Sequence, residues 1–344
     1  MIKFFLSSVL LFSFSAWQTL YAQTTSVDRA AFFNDTSVLN ATILTNTSKL
    51  FSHEKKGFTI PAHFITKLSD GSDVNDLILL EMRGHFRHDY CYVPPLKIIF
   101  KYNKPSVFYS LKSAKLVSEC RLPSMYDQFL LKEFLVYKIY NLITDMSFHV
   151  RLLNLNFQDS AGKRKTITEH AFLMEDIKDL AKRNNCVEWK KGKLNTESTH
   201  RRQMTIVALF EYMIGNTDWA VSADHNIKLI VPDTDSLVRP FAVPYDFDYS
   251  GLVNAEYAVP DEKLEIENVR VRVYRGFART MPELNEVLDI FKQKKDKIYA
   301  MIKNFDLLNS GSKREMTDYL DGFFDIIKDQ RLVKATFIDN ARTQ

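Results

Sequence analysis

The sequence predicts an α+β protein in two parts, a strand-rich first part with one long helix and a mainly helical second part carrying a small hairpin. Three observations predict it. Short apolar runs with alternating patterning crowd residues 77–174, the window 126–145 repeats apolar residues at helical spacing, and the end of the chain reads as two amphipathic helices.

Taken in order, residues 23–60 are rich in Ser, Thr and Asn with scattered apolar positions, which predicts a polar, partly ordered leader. Strands are expected over 77–82 and 95–102, with the basic, aromatic loop Arg83-Gly84-His85-Phe86-Arg87 leading from one towards the other, and a third near 113–117. In the 126–145 helix, Leu130, Leu131, Phe134, Leu135, Ile139, Leu142 and Ile143 make one face apolar. Segments 150–157 and 166–174 alternate around the turn sequence Asp159-Ser160-Ala161-Gly162 and read as a hairpin, which Glu175-Asp176 ends. A Lys-rich loop follows Cys186, then a helix over 199–214 stopped by Gly215, short strands at 227–231 and 238–243, and helices at 283–305 and 313–329.

Hydrophobic residues make up 46% of the chain, enough for a real core, which excludes a disordered or fibrous protein. Met1-Ile2-Lys3, the apolar run 4–16 and Leu20-Tyr21-Ala22 before Gln23 read as a secretory signal peptide, so residues 1–22 are expected to be cleaved and the mature protein to be periplasmic or secreted. The apolar run is too short for a comfortable span, and no later segment is long and apolar enough to cross a membrane. Formal net charge is +4, or 4 − 1 = +3 without Lys3, too mild to imply nucleic acid. In an oxidising compartment Cys91 is expected to pair with Cys120, since both flank strands of the first part; buried free thiols at these positions and at Cys186 are the alternative. Asn34, Asn40 and Asn46 stand in glycosylation sequons and read as chance in a polar segment.

The chemistry concentrates in Gly215-Asn216-Thr217-Asp218, His225-Asn226 ahead of an apolar strand, and Tyr245-Asp246-Phe247-Asp248 after the next apolar run. Metal-dependent phosphoryl transfer needs that order: a carboxylate to accept the hydroxyl proton, an amide oxygen for the metal, and a carboxylate bridging metal to phosphates.

Gly215-Asn216-Thr217-Asp218 with His225-Asn226 and Tyr245-Asp246 looks like the catalytic and metal-binding segments of the HipA-like serine/threonine kinases. Arg83-Gly84 with Pro95 and Lys97 ahead of a strand, and Asp246-Phe247-Asp248 after one, resemble the spore-coat CotH kinase-like proteins. The similarity covers roughly residues 77–254 and lies in the shared order of the motifs. It implies a two-lobed protein-kinase-like fold, with a β-rich N-lobe over 61–176 and a mainly helical C-lobe over 177–344. It further implies Asp218 as catalytic base, Asn226 and Asp246 as Mg ligands with Asp248 auxiliary, and Lys97 on the phosphates of ATP or another nucleoside triphosphate with Glu133 behind it. Glu175 would stand where a kinase hinge meets adenine, Arg83 and Arg87 can clamp phosphate oxygens, and the acceptor would be a protein or small-molecule hydroxyl. In most kinases the catalytic Asp precedes the metal Asn by five positions; here the interval is 226 − 218 = 8, so the loop bulges or Asp224 shares the work.

Blander readings use the same residues. Asp218 can cap a turn and Asn226 can pair with backbone, Lys97 can guard a strand edge, and Arg83 and Arg87 can belong to an ordinary charged loop. Asp246-Phe247-Asp248 also matches the Asp-x-Asp of nucleotide-sugar glycosyltransferases, but no alternation of strand and helix precedes it. There is no Gly-x-Ser-x-Gly elbow and no pair of metal-binding His residues. The alternative function is a catalytically inactive, kinase-shaped binding or scaffold module.

Overall fold

Strands with period-two patterning dominate the first half of the computed structural model, which describes residues 27–52, 56–83, 91, 93–102, 106–119, 124–234 and 238–343. They are β1 (Leu39–Thr45), β2 (Thr59–Lys67), β3 (Asp73–Met82), β4 (Leu96–Ile99), β5 (Ser113–Ser118), β6 (Val150–Asp159) and β7 (Ile167–Met174). They close into a barrel in the order β1-β2-β3-β4-β5-β7-β6. Neighbours are antiparallel except at the β1–β6 seam, which runs parallel from Leu39↔Leu153 to Thr45↔Asp159. Inward-facing Ile43, Phe64, Ile78, Leu80, Ile98, Leu116, Leu155 and Leu173 fill the interior with Phe100 and Phe108. Phe64 meets those two rings edge-on at 5.4 and 5.3 Å. Short helices α1 (Arg29–Asn34) and α2 (Thr47–Leu50) flank β1, and Asn46 caps α2 by accepting from the Lys49 amide at 3.0 Å.

The outer face of β6 and β7 is apolar too, because Val150, Leu152, Phe172 and Met174 bury into a second core. Helix α3 (Ser124–Ile143) lies on that face, with α4 (Ile177–Arg183), α5 (Arg201–Ile214), α6 (Met281–Lys303), α7 (Ser310–Lys328) and α8 (Gln330–Lys334) following in the chain. Sandwiched between the barrel and these helices, α3 buries even Lys132 and Glu133. Lys132 is satisfied by an ion pair with Glu315 of α7 and by the Val253 carbonyl at 3.3 Å. A three-strand sheet, β8 (Cys186–Glu188), β9 (Ile227–Pro232) and β10 (Phe241–Pro244), has the order β10-β9-β8. Helix α6 starts at a reciprocal capping box of Thr280 and Glu283.

The expected two-lobed protein-kinase-like fold is corrected by the closed barrel: the chain combines a seven-strand mixed barrel, a small three-strand sheet and C-terminal helices, and not a kinase-like pair of lobes. The segment that closes the barrel sits in the stretch read as a polar leader. Strand β1 turns Leu39, Ala41 and Ile43 inward and puts Asn40 and Thr42 outward, so its composition looks polar while its inner face is apolar. Strand β2 hides in the same way, burying Ile60, Ala62 and Phe64 behind Pro61 and His63.

Cys186 is a free, buried thiol, pushed up by burial. Cys91 is buried, whereas Cys120, its expected partner, lies outside the described residues, as do residues 1–22. Among the described residues no helix is long and apolar enough to cross a membrane.

Candidate functional site

Helix α5 ends where Gly215 takes a left-handed backbone (φ 69°) and hands its amide to the Tyr212 and Glu211 carbonyls. A Cβ there would overlap the Tyr319 hydroxyl, so the position demands Gly twice over. The loop that follows is tied down on several sides. The Asn216 amide donates to the Glu211 carbonyl at 2.8 Å, the Asn216 side-chain oxygen accepts from the Asp218 amide at 3.0 Å, and the Arg275 guanidinium donates to the Thr217 carbonyl.

The eight-residue interval resolves into a tight hairpin. Ala220 and His225 bridge antiparallel, exchanging backbone hydrogen bonds of 2.9 and 3.0 Å, and the intervening turn closes with Asp224 at φ 52°. The extra residues are therefore folded out, and Asn226 returns to Asp218. Its side-chain amide donates to the Asp218 carbonyl at 2.8 Å and to Asp218 Oδ2 at 3.0 Å. With both N–H bonds spent there, the Asn226 amide oxygen is left for another partner. Asp218 Oδ1 meets His225 Nε2 at 2.6 Å, and both side chains are open to solvent, 40% and 52% exposed.

Antiparallel pairing of β9 with β10 brings the third acidic position to the same end of the sheet. Pro244 opposes Ile227, and the Tyr245 amide donates to the Asn226 carbonyl at 3.0 Å. Asp246 comes next with a left-handed backbone (φ 68°), like Asn226 (φ 51°). Its amide donates to the Tyr137 hydroxyl of α3 at 2.8 Å. Phe247 is fully buried and locks the segment, its ring 4.7 Å from Tyr137 and 5.7 Å from Phe210. Asp248 is buried and accepts from the Tyr257 hydroxyl at 3.1 Å.

The cation facing Asp246 is Lys115, not Lys97. On the barrel's outer face Glu81, Lys97 and Lys115 stand side by side on β3, β4 and β5. Lys97 pairs with Glu81 at 3.9 Å, which corrects the expected Lys97–Glu133 pair. Glu133 is instead buried one turn before Tyr137, where burial, reinforced by its charge, holds the tyrosine hydroxyl far above its usual range. Lys115 places its ammonium 4.4 Å above the Tyr245 ring. Burial lowers its pKa to about 7, the charges of Arg83 and Lys228 add to that, and those of Asp246 and Asp176 oppose it. Lys228 reaches over the same ring at 5.8 Å. Arg83 thus acts at the site, while Arg87 lies outside the described residues.

Glu175 turns its carboxylate away to a structural task. It accepts from Arg183 at 2.6 Å and from the His149 amide at 2.7 Å, and burial raises its pKa against the pull of Arg183. Asp176, whose charge acts on Lys115, still places this connection beside the site.

Lys115, Lys228 and Tyr137 were missed from sequence. A signal existed for the first, since Lys115 interrupts an apolar alternation just as Lys97 does. No family model, curated protein or solved structure matches the chain.

Proposed function

We propose that this site binds a nucleoside triphosphate with Mg and transfers a phosphoryl group to the hydroxyl of a protein or small molecule. The observation that carries the reading is Lys115 within electrostatic reach of Asp246, beside the Asp218–Asn226 pair. Function resides in such a constellation whatever scaffold supports it, so the barrel does not weigh against it. The shared motif order with HipA-like and CotH-like proteins supports the site reading alone.

The donor set suits a hard cation. The Asn226 amide oxygen and the Asp246 carboxylate would hold Mg, with Asp248 behind them; among the described residues no cluster of three or more His, Cys, Asp or Glu could cage an ion. One or two carboxylates with phosphate and water oxygens completing the shell is the pattern of Mg. That ion would neutralise charge on the phosphates. Lys228 and Arg83 add positive charge on the barrel side, and a bound polyanion would draw Lys115 into its charged form beside them. The apolar run 4–16 supports export, which makes the donor's delivery part of the proposal.

Thermal unfolding of the mature chain with MgATP and other Mg–nucleoside triphosphates, followed by transfer from a γ-labelled donor, tests it. At a hundredfold excess over Kd, binding stabilises by about 2.7 kcal/mol. The shift is expected in the wild type and lost in Asp246→Ala and Lys115→Ala. If no nucleoside triphosphate shifts the wild type, the proposal fails; binding without transfer to any hydroxyl leaves a binding module.

A further inference from the structure

We infer that Arg275 is the positioning residue for Asp218, the base of the phosphoryl-transfer reading on which this inference rests. Asp218 presents a solvent-open carboxylate between two buried chain neighbours, Thr217 and Trp219, and Arg275 holds both of them. Its guanidinium donates to the Thr217 carbonyl and stands 5.6 Å from the centre of the Trp219 ring. The first is a charge-assisted hydrogen bond and the second a cation–π contact. A planar, forked cation makes the two together, where a single ammonium would have to choose.

The peptide planes on either side of Asp218 are both gripped. In the plane that joins Thr217 to Asp218, Arg275 holds the carbonyl and the Asn216 side-chain oxygen accepts from the N–H at 3.0 Å. In the next plane, the Asp218 carbonyl accepts from the Asn226 amide at 2.8 Å, and Trp219 follows under Arg275. A rotation that swung the carboxylate off its target would therefore break one of these contacts. Only Arg275 spans both planes from outside the loop.

Arg275 is itself carried by an immobilised segment. Two residues before it, Arg272 donates to the Met213 carbonyl of α5 at 3.2 Å. Tyr274 is buried, its ring 6.1 Å from Tyr212 and 5.0 Å from Phe337. Gly276 lies so close to α5 that a Cβ there would stand 2.9 Å from the Ala208 Cβ, and its carbonyl accepts from the Arg342 amide at 2.9 Å. Burial, then the charge of Arg342, lowers the Arg275 pKa, and the charges of Asp218, Asp261 and Glu211 oppose that fall. Glu211, fully buried in the last turn of α5, gives Arg275 a second task, since a buried carboxylate favours a cation beside it. The two tasks predict different kinetics.

Phosphoryl transfer by the mature chain, with kcat and the KM for MgATP read separately, tests the role. Arg275→Met keeps an apolar side chain against Trp219 and loses the donation to Thr217. Its kcat is expected to fall about 10²-fold, the scale of a misplaced catalytic group, with KM within about threefold of wild type. The same fall is expected when the substitution is made in Glu211→Gln, where no buried carboxylate is left to compensate. Arg275→Lys keeps the charge without the two-point hold and is expected to lose kcat as well, at an unchanged melting temperature. A fall that disappears in the Glu211→Gln background makes Arg275 the counter-charge of Glu211 and overturns the role. Full activity of Arg275→Met or Arg275→Lys beside an active wild type overturns it too and leaves the phosphoryl-transfer reading standing. A wild type that transfers nothing overturns that reading and this role with it.

Discussion

Lys115 is held close to its neutral form by its surroundings, and that has consequences for both binding and stability. Folded, it releases its proton near pH 7; unfolded, near the ordinary lysine value of 10.5. Between those values the unfolded chain binds more protons, so this group's contribution to stability rises with pH across the window and is least favourable below about 7. Lys115→Met should therefore raise the melting temperature at pH 6, on the order of 1–2 kcal/mol once solvent screening discounts the shift, with the gain shrinking towards pH 10. Denaturation of both chains across pH 6–10 checks it. Glu119 behaves oppositely. Burial, then Asp127, raises its pKa to about 8, so its contribution is fully present below the usual 4.5 and is lost as pH climbs through 8. Glu119→Gln should accordingly gain on wild type as pH rises from 4.5 to 8, and equal differences at both ends would refute the assignment. For Tyr137→Phe, loss of the hydroxyl that accepts the Asp246 amide should cost about 1–3 kcal/mol and weaken Mg binding, read by calorimetry.

At the scale of elements, the Asp218–Asn226 hairpin shows how much the sequence revealed. Asp218, Asn226 and Asp246 could be picked out because Gly, Asn and Asp punctuate apolar runs there, and β9 and β10 set them at one end of a sheet. What could not be read was the hairpin's internal pairing. The Ala220–His225 bridge depends on backbone geometry that no side chain in Val221-Ser222-Ala223-Asp224 announces. Lys97 and Lys115 both alternate with apolar residues, and only the register that gives Lys97 to Glu81 separates them. The end of α5 was legible in Gly215, and its substitution is correspondingly harsh. Gly215→Ala must adopt a left-handed backbone, about 1–2 kcal/mol by itself, and displace Tyr319, so a larger fall in stability than either term alone is expected in chemical denaturation.

For the whole molecule, the decisive fact is the parallel seam between β1 and β6. Polar outward residues disguised β1, and pairing across more than a hundred positions of sequence leaves no local trace. Deleting residues 23–46 separates the two readings of this stretch. A polar leader could be lost without effect, whereas loss of β1 bares the edges of β2 and β6 and should yield an aggregating chain with no cooperative transition. Light scattering and thermal melts of the truncated protein decide between them.

The Tyr137 ring touches Phe172 of the barrel wall at 5.5 Å and Phe247 of the acidic segment at 4.7 Å, while its hydroxyl accepts the Asp246 amide. One side chain thus belongs to the scaffold and the site alike and couples them directly. The site has no melting point of its own: heat that loosens the barrel wall misplaces Asp246 in the same event, so ligand binding and folded structure should vanish at one temperature.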